Sequence, residues 1–294
     1  MFMRDFIGYK GSFPKDCWPD KAKIAVNFVI NYEEGSERNI LDGDAQSEEY
    51  LSDWPLLTAL KEKRSLSSES LFEYGSRAGI WRLLGLFDEY SLPLTIFTTG
   101  LSLERNEPLA DKFKNSEYEN AGHGYRWINY AGMPESQERE EIDKTIDSIE
   151  KLTNKKIYGW YTGRKSKHTR KIIIDLGLLY DSESYADDLP YWMQENGKKH
   201  LIIPYTLDTN DARYTTSPGW SNGEAFFQHL KMTFDCLYRE GKTFPKMMTV
   251  ALHARLSGKP GRCEAIRNFI EYITSKELVW ICTREQIAKH WQKL

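Results

Sequence analysis

The sequence predicts an α/β fold in which all 294 residues form one (β/α) barrel of seven to eight parallel strands. Strand-like apolar runs alternate with amphipathic, helix-like runs along the chain, as they do in proteins with parallel sheets. No linker rich in proline, serine or glycine interrupts this alternation. A barrel of this kind commonly takes about 200 to 250 residues or more, so we expect a single domain over 1–294.

The first predicted elements surround a long polar loop. Ile24–Asn31 is an almost continuous run of β-prone apolar residues, which is typical of a buried parallel strand. The stretch Glu33–Ser70 has little periodicity, and loops of such length in compact domains are often functional. Apolar residues at helical spacing predict a helix over Arg77–Tyr90, and Pro93–Thr98 is predicted as the second strand. A short third strand is expected to end just before His123.

The same alternation continues to the C-terminus. Further strands are predicted over Lys156–Tyr161, Gly177–Asp181, His200–Pro204, Met247–His253 and Leu278–Cys282. The helices between and after them are predicted over Ser136–Leu152, Thr169–Leu176, Glu224–Arg239, Glu264–Thr274 and Arg284–Trp291.

Composition and charge argue against several classes of function. The net charge of −3 and the pI of about 6.1 give no electrostatic argument for nucleic acid or an anionic membrane as a partner. No apolar run approaches the length of a membrane-spanning helix, and the N-terminal residues lack the apolar region of a signal peptide. No C-x-x-C pair occurs, so a thiolate zinc site is not expected. We therefore expect a cytoplasmic protein.

Polar and titratable side chains follow six of the predicted strands. In a parallel barrel, catalytic and binding groups lie where strands end and the following loops begin. We call this the strand-end rule. It selects the following candidate site residues: Glu33, Glu34, His123, Arg126, Trp127, Tyr161, Arg164, Asp208, Asn210, Asp211, His253 and Arg255.

The carboxylates and histidines among them are suited to acid–base chemistry. Glu33 and Glu34 are adjacent on an extended backbone, so only one of them is expected to face a reacting atom. Such a carboxylate could have its pKa raised by desolvation and act as a general base, or the pair could be a solvated acidic loop. His123 and His253 could each be a general acid or a metal ligand. No H-x-x-x-H pair is present, because Trp127 stands four residues after His123.

Three arginines form the third element of the predicted site. Arg126, Arg164 and Arg255 carry planar guanidinium groups that bind carboxylate, urea or imide oxygens in bidentate fashion. Three of them at strand ends suit a flat, oxygen-rich small molecule. The alternative for each is an ion pair with a nearby aspartate or glutamate.

Several stretches of the sequence together resemble the PuuE-type allantoinases, a branch of the polysaccharide deacetylase (NodB-homology) superfamily. They are NYEEG at 31–35, ESLFEYGSRAGIWRLL at 69–84, HGYRW at 123–127, GWYTGR at 159–164, DSESYADDLPYW at 181–192, YTLDTND at 205–211 and LHARLSGKPGR at 252–262. The resemblance covers nearly the whole chain. It implies a distorted (β/α) barrel of the NodB-homology type and hydrolysis of allantoin to allantoate, as in ureide and purine catabolism.

The resemblance also implies catalytic roles. Glu33 matches the base position of the superfamily, and Glu34 matches a metal-ligand position. His123 matches the first histidine of the metal motif, but Trp127 stands where the second would be. His253 matches the late-strand acid. The implied enzyme therefore works without a metal or another cofactor, with Glu33 activating water and His123 polarising the carbonyl.

A substrate-binding set is implied as well. Seven polar side chains would hold the ureido group and the ring, while Trp127 and Tyr161 would wall the pocket. These seven are Glu34, Asp211, Arg126, Arg164, Arg255, Asp208 and Asn210. The partner would be a small ureide, and the aromatic content together with the resemblance favours a homotetramer.

The sequence leaves two rival functions open. One is a metal-dependent N-deacetylase of amino-sugar polymers or oligomers, and the other is a non-catalytic homologue. Residues 116–122 and the stretch Ser166-Lys167-His168 depart from the usual pattern of the allantoinase branch, which affects the expected substrate more than the fold.

Overall fold

The computed structural model describes residues 4–15, 17–54 and 58–294. Nine strands within these ranges form one curled sheet. The strands are β1 Ile24–Tyr32, β2 Thr95–Thr98, β3 Glu119–Gly122, β4 Gly159–Trp160, β5 Tyr180–Asp181, β6 Tyr191–Glu195, β7 Lys198–Ile202, β8 Lys246–His253 and β9 Val279–Ile281. Their order is β6-β7-β5-β4-β3-β2-β1-β8, with β9 also paired to β1. Only the β6–β7 pair is antiparallel among these strands, so the predicted barrel of seven to eight parallel strands is confirmed.

The helices follow the strands as predicted, with some additions. They are α1 Leu66–Tyr74, α2 Ile80–Glu89, α3 Gly100–Glu104, α4 Glu107–Lys114, α5 Glu135–Thr153, α6 Thr169–Asp175, α7 Gly223–Glu240, α8 Ala254–Ser257, α9 Pro260–Thr274 and α10 Arg284–Trp291. The sequence did not predict α1, α3, α4 or α8. Within the described ranges, no helix combines the length and apolar character needed to cross a bilayer.

Strand β1 lies at the centre of the core. Val26, Phe28 and Ile30 belong to the apolar cluster formed with the surrounding helices. The alternate residues face the inside of the curled sheet, where Asn27 accepts a hydrogen bond from Arg284 and Val29 packs in a second cluster. This alternation of an apolar outer face with a partly polar inner face leaves side chains free to line a site at the end of the strands.

The polar loop after β1 is shorter than predicted, since α1 begins at Leu66. Residues 55–57 of this loop lie outside the described ranges. A π-helical segment, Gly75–Gly79, joins α1 to α2. A Cβ atom at Gly75 would lie 2.5 Å from Oε1 of Glu34, so glycine permits the helix to approach the end of β1 this closely.

Candidate active site

Three polar side chains meet where the parallel strands end. Asn31 of β1 is aligned with His253 of β8, so Glu33, two residues after Asn31, lies beside His253. His123 follows β3 directly. Glu33, His123 and His253 are all buried. The structure therefore brings together the three residues that the sequence suggested as catalytic.

Glu33 is at the centre of this cluster. Its Oε1 lies 3.0 Å from His123 Nε2 and 3.6 Å from His253 Nε2, and its Oε2 accepts a 2.8 Å hydrogen bond from Arg255 Nη2. Burial raises the pKa of Glu33, but Arg255, His253 and the hydrogen bond with His123 outweigh burial and hold the pKa below its ordinary value. The expectation of a raised pKa is therefore wrong, and Glu33 is ionised at neutral pH.

His253 is held by Asp211, one of the residues predicted to bind substrate. Asp211 Oδ1 lies 2.6 Å from His253 Nδ1, and Oδ2 accepts hydrogen bonds from the backbone N–H groups of His253 and Ser257 at 2.7 and 3.1 Å. Both oxygens of Asp211 are thus used inside the protein, where they position His253, and a contact of Asp211 with substrate stays a prediction. Burial lowers the pKa of His253, but the attraction of Asp211 and Glu33 outweighs burial and raises it.

Glu34, another residue predicted to bind substrate, is held by hydrogen bonds within the protein. Its Oε2 accepts a 3.1 Å hydrogen bond from the backbone N–H of Glu33. Its Oε1 accepts from the backbone N–H and from Nη1 of Arg255, at 3.1 and 3.3 Å. Burial raises the pKa of Glu34 despite the attraction of Arg255. Glu34 is therefore occupied in holding Arg255, and Arg255 bridges the two adjacent carboxylates.

Aromatic rings enclose the other side of the cluster. His123 Nδ1 pairs with the carbonyl oxygen of Tyr161; since a carbonyl only accepts, Nδ1 carries a hydrogen. Nε2 carries one as well, because its partner at 3.0 Å, the Glu33 carboxylate, also only accepts. The Tyr161 ring stacks on Tyr205 with centroids 4.0 Å apart and lies 5.3 Å from the ring of Phe97. Tyr161 thus lies beside the cluster, and its role as a wall of the substrate pocket stays a prediction.

Trp127 and Arg164 form an outer layer. Trp127 packs with Leu51 and Phe72. The guanidinium carbon of Arg164 lies 4.0 Å from the centroid of the Trp127 ring, and that of Arg255 lies 5.1 Å from the same centroid. Cation–π contacts with the indole therefore join Arg164 to the arginine that holds Glu33.

The donor set does not fit a metal ion. Within the described ranges, no group of three or more histidine, cysteine, aspartate or glutamate side chains is arranged to hold one. Glu34, at an implied ligand position, is turned towards backbone N–H groups and Arg255. Trp127 stands at another implied ligand position and has no donor for a metal.

Two predicted substrate-binding residues are directed away from the cluster. Arg126 donates to Asp44 and, at 3.1 Å, to a backbone carbonyl of the polar loop. Asp208 is more than half exposed and lies 3.0 Å from His229 Nε2 on α7. For Arg126 the alternative of an ion pair is the one observed, and the assignment of both residues to substrate binding stays a prediction. The strand-end rule locates a backbone position but not the direction of its side chain.

Asn210 has a local structural role. Its Oδ1 accepts a 2.9 Å hydrogen bond from the backbone N–H of Ala212 and so caps the short helix Asp211–Thr215. Its Nδ2 donates to the Thr206 carbonyl at 3.2 Å. Asn210 therefore fixes the segment that carries Asp211, and its assignment to substrate binding stays a prediction.

The sequence did not identify two residues that the structure places near the cluster. Tyr205 stacks on Tyr161 and accepts a 2.7 Å hydrogen bond from Asn31 Nδ2. Tyr205 follows a predicted strand, so the strand-end rule could have selected it. Glu48 is buried in the polar loop, 4.0 Å from Arg164. No periodicity or motif signalled its position.

A large cleft of the molecule lies elsewhere. It has a volume of about 1490 Å³ and lies between residues 4–13 and residues 183–196. None of the buried catalytic candidates lines it, but Tyr185 does, and the Tyr185 hydroxyl lies 3.0 Å from that of Tyr161. The buried cluster, and not this cleft, holds the groups suited to catalysis.

Comparison with known proteins gives consistent results. The model of the polysaccharide deacetylase family matches residues 62–180. A Schizosaccharomyces pombe protein assigned to the polysaccharide deacetylases is 43% identical, and the alignment covers 98% of this chain and 96% of that protein. The crystal structure of PuuE allantoinase is 48% identical with a TM-score of 0.97, covering 100% of this chain and 98% of that one. A Pseudomonas aeruginosa PAO1 structure, also assigned to the polysaccharide deacetylases, is 48% identical with a TM-score of 0.96, covering 99% and 98%. The predicted family and fold are confirmed.

Proposed function

The chain belongs to the polysaccharide deacetylase family, and we propose that it hydrolyses a C–N bond of a cyclic amide without a metal ion, converting allantoin to allantoate. The observation that carries the proposal is the position of Arg255. Its guanidinium hydrogen-bonds both Glu33 and Glu34, which match the base and metal-ligand positions of the superfamily. The similarity to PuuE allantoinase supports allantoin as the substrate.

Glu33 activates the attacking water. Its lowered pKa keeps it ionised at neutral pH, so it accepts a hydrogen bond from water beside the ring carbonyl. The C–O bond forms as the proton moves from water to Glu33. His123, 3.0 Å from Glu33, polarises the carbonyl oxygen where negative charge develops.

His253 protonates the departing nitrogen. Its raised pKa favours the imidazolium, which Asp211 fixes with Nε2 directed towards Glu33. The ring C–N bond breaks as the Nε2 proton moves to nitrogen. The proton held by Glu33 then returns across the 3.6 Å between Oε1 and Nε2, which restores both groups for the next cycle.

An activity screen tests the proposal. Purified protein is incubated with allantoin and, separately, with N-acetylated chito-oligomers, with and without a chelator. We expect ring opening of allantoin that survives chelation, and no release of acetate. Acetate release from the oligomers with allantoin untouched would show a deacetylase, and inertness towards both substrates would favour the non-catalytic homologue.

The remaining expectations are proposals about the whole molecule. We propose that residues 1–294 form one domain, that the protein is cytoplasmic, that it binds a small ureide and no nucleic acid or membrane, and that it assembles as a homotetramer. Exposed aromatic side chains such as Tyr50, Trp54 and Trp81 support an interface between copies.

A further inference from the structure

Glu48 has a carboxylate oxygen that is enclosed but unpaired. The side chain is only 3% exposed, and Oε2 has no hydrogen-bond partner among the described residues. A buried acceptor without a partner has lost its hydrogen bonds to water and gained nothing in return. This oxygen therefore calls for a ligand that brings an N–H or O–H group.

The rest of Glu48 is firmly fixed. Its other oxygen, Oε1, accepts hydrogen bonds from the backbone N–H groups of Glu49 and Tyr50 at 3.0 and 2.9 Å. Its own backbone N–H donates to the Arg38 carbonyl, and its carbonyl accepts from the Ser68 hydroxyl, both at 3.0 Å. With one oxygen used by the loop, only Oε2 is available to a ligand.

Arg164 provides a donor beside this acceptor. Its Nη1 lies 4.0 Å from Oε2 of Glu48, which is beyond hydrogen-bonding distance. The guanidinium instead stacks against Trp127 and makes a long 3.4 Å hydrogen bond to the carbonyl of the same residue. A donor and an acceptor therefore lie side by side without satisfying each other.

We propose that Glu48 and Arg164 bind an amide edge of the substrate, the exocyclic ureido group in the case of allantoin. Glu48 Oε2 accepts the ureido N–H, and Arg164 donates to the ureido carbonyl oxygen. From standard bond lengths, the oxygen and nitrogen of an amide are about 2.2 Å apart. Two hydrogen bonds that diverge from these atoms fit partners separated by 4.0 Å. This assignment rests on the proposed function for the reaction that follows binding.

The chain connects this pair to the catalytic cluster. The Leu51 carbonyl, three residues after Glu48, accepts a 3.0 Å hydrogen bond from Arg255 Nε. Tyr50 stacks on Trp127 with ring centroids 6.0 Å apart. Arg255 in turn holds Glu33. A group bound at Glu48 is thus anchored to the residues that position the proposed base.

The test compares two substrates and two variants. Hydantoin has the ring of allantoin but lacks the exocyclic ureido group. Glu48→Gln keeps an oxygen for the two backbone N–H groups and replaces Oε2 with NH₂, a donor facing the N–H of the substrate. Glu62→Gln is the matched control, because Glu62 is an exposed carboxylate in the same loop. Turnover gives kcat/KM, and calorimetry with the same two compounds gives Kd.

We expect Glu48→Gln to lower kcat/KM for allantoin about 10- to 100-fold, as for loss of a hydrogen bond to a charged group, and to weaken its binding correspondingly. In Glu48→Gln, the kcat/KM for hydantoin should change less than about threefold. Glu62→Gln should leave kcat/KM unchanged for both substrates. Retained hydantoin turnover shows that the variant is folded.

Equal losses for the two substrates, or no loss, would overturn the assignment while leaving the proposed reaction intact. Conversely, Glu48-dependent binding of allantoin by a protein that does not open its ring would support the assignment and contradict the proposed reaction. No binding of allantoin by the unmodified protein at millimolar concentration would overturn both.

Discussion

Asp211→Asn tests whether His253 acts as the general acid. Asp211 accepts three hydrogen bonds through two buried oxygens, from His253 Nδ1 and from the backbone N–H groups of His253 and Ser257. Asparagine has one acceptor oxygen. If that oxygen keeps the two backbone N–H groups, the NH₂ group faces Nδ1 and favours the tautomer in which Nδ1 carries no hydrogen.

The expected loss follows from this change of tautomer. A neutral imidazole is a far weaker acid than the imidazolium that Asp211 stabilises, so the contribution of general acid catalysis is lost. We expect kcat to fall about 10²- to 10⁴-fold, which corresponds to about 3–5.5 kcal/mol of activation free energy. The charge-assisted hydrogen bond itself contributes about 1.5–3 kcal/mol, so a lower melting temperature should accompany the loss.

The pH dependence gives the sign of the effect. Because the pKa of His253 is raised, its acid form is present below that pKa and is lost as the pH rises through it. Removing the negative charge of Asp211 lowers this pKa, so the alkaline limb of the kcat profile should move to lower pH. Allantoin hydrolysis measured across the pH range checks this. Asp208→Asn is the control, since Asp208 is exposed and away from the cluster. A kcat within threefold and an unmoved alkaline limb would refute the role of His253.

Four further predictions concern the catalytic base, its charge, metal content and assembly. Glu33→Gln should lower kcat about 10²- to 10⁴-fold with folding intact, and a loss below tenfold in the same allantoin assay would contradict its role as base. Arg255→Lys should raise the pKa of Glu33 towards its ordinary value and move the acid limb of the kcat profile to higher pH; an unmoved limb would count against Arg255 as the cause of the lowered pKa. Elemental analysis should find no stoichiometric divalent ion, whereas one zinc per chain with chelator-sensitive activity would contradict the proposed chemistry. Light scattering should report a tetramer, and a monomer at micromolar concentration would exclude that assembly.

Much of the fold could be predicted because the buried strands are apolar runs. β1 and β8 were found almost to the residue, since both are enclosed along their whole length. The antiparallel strand β6 was missed although a signal was present. Asn196 and Gly197, both at positive φ, form the turn between β6 and β7, and Asn-Gly is a strong hairpin signal.

The site was predictable in position but not in connectivity. Residues that end strands meet at one edge of a parallel sheet, which is why Glu33, His123 and His253 could be selected. Which partner each side chain contacts depends on packing between distant segments. Asp211 and His253 are separated by 42 positions, and the orientation of Asp211 is set by the short helix that it begins. Sequence spacing carries no information about such a pairing.

Charge balance connects the chemistry of the site with access to it. Glu33 and Glu34 are buried side by side, an arrangement that is unfavourable unless a cation compensates both. Arg255 does so through its backbone N–H, Nη1 and Nη2, and a divalent ion could replace it only by breaking these hydrogen bonds. Its remaining donor, Nε, holds the Leu51 carbonyl and thereby the loop segment that carries Glu48. Arg255 therefore both compensates the charge of the carboxylates and fixes the loop against the site.

An open groove for a polymer would require this loop to move. That movement would break a hydrogen bond of Arg255, the group that sets the charge of Glu33. The proposed metal-free chemistry and the proposed small, enclosed substrate therefore both depend on Arg255.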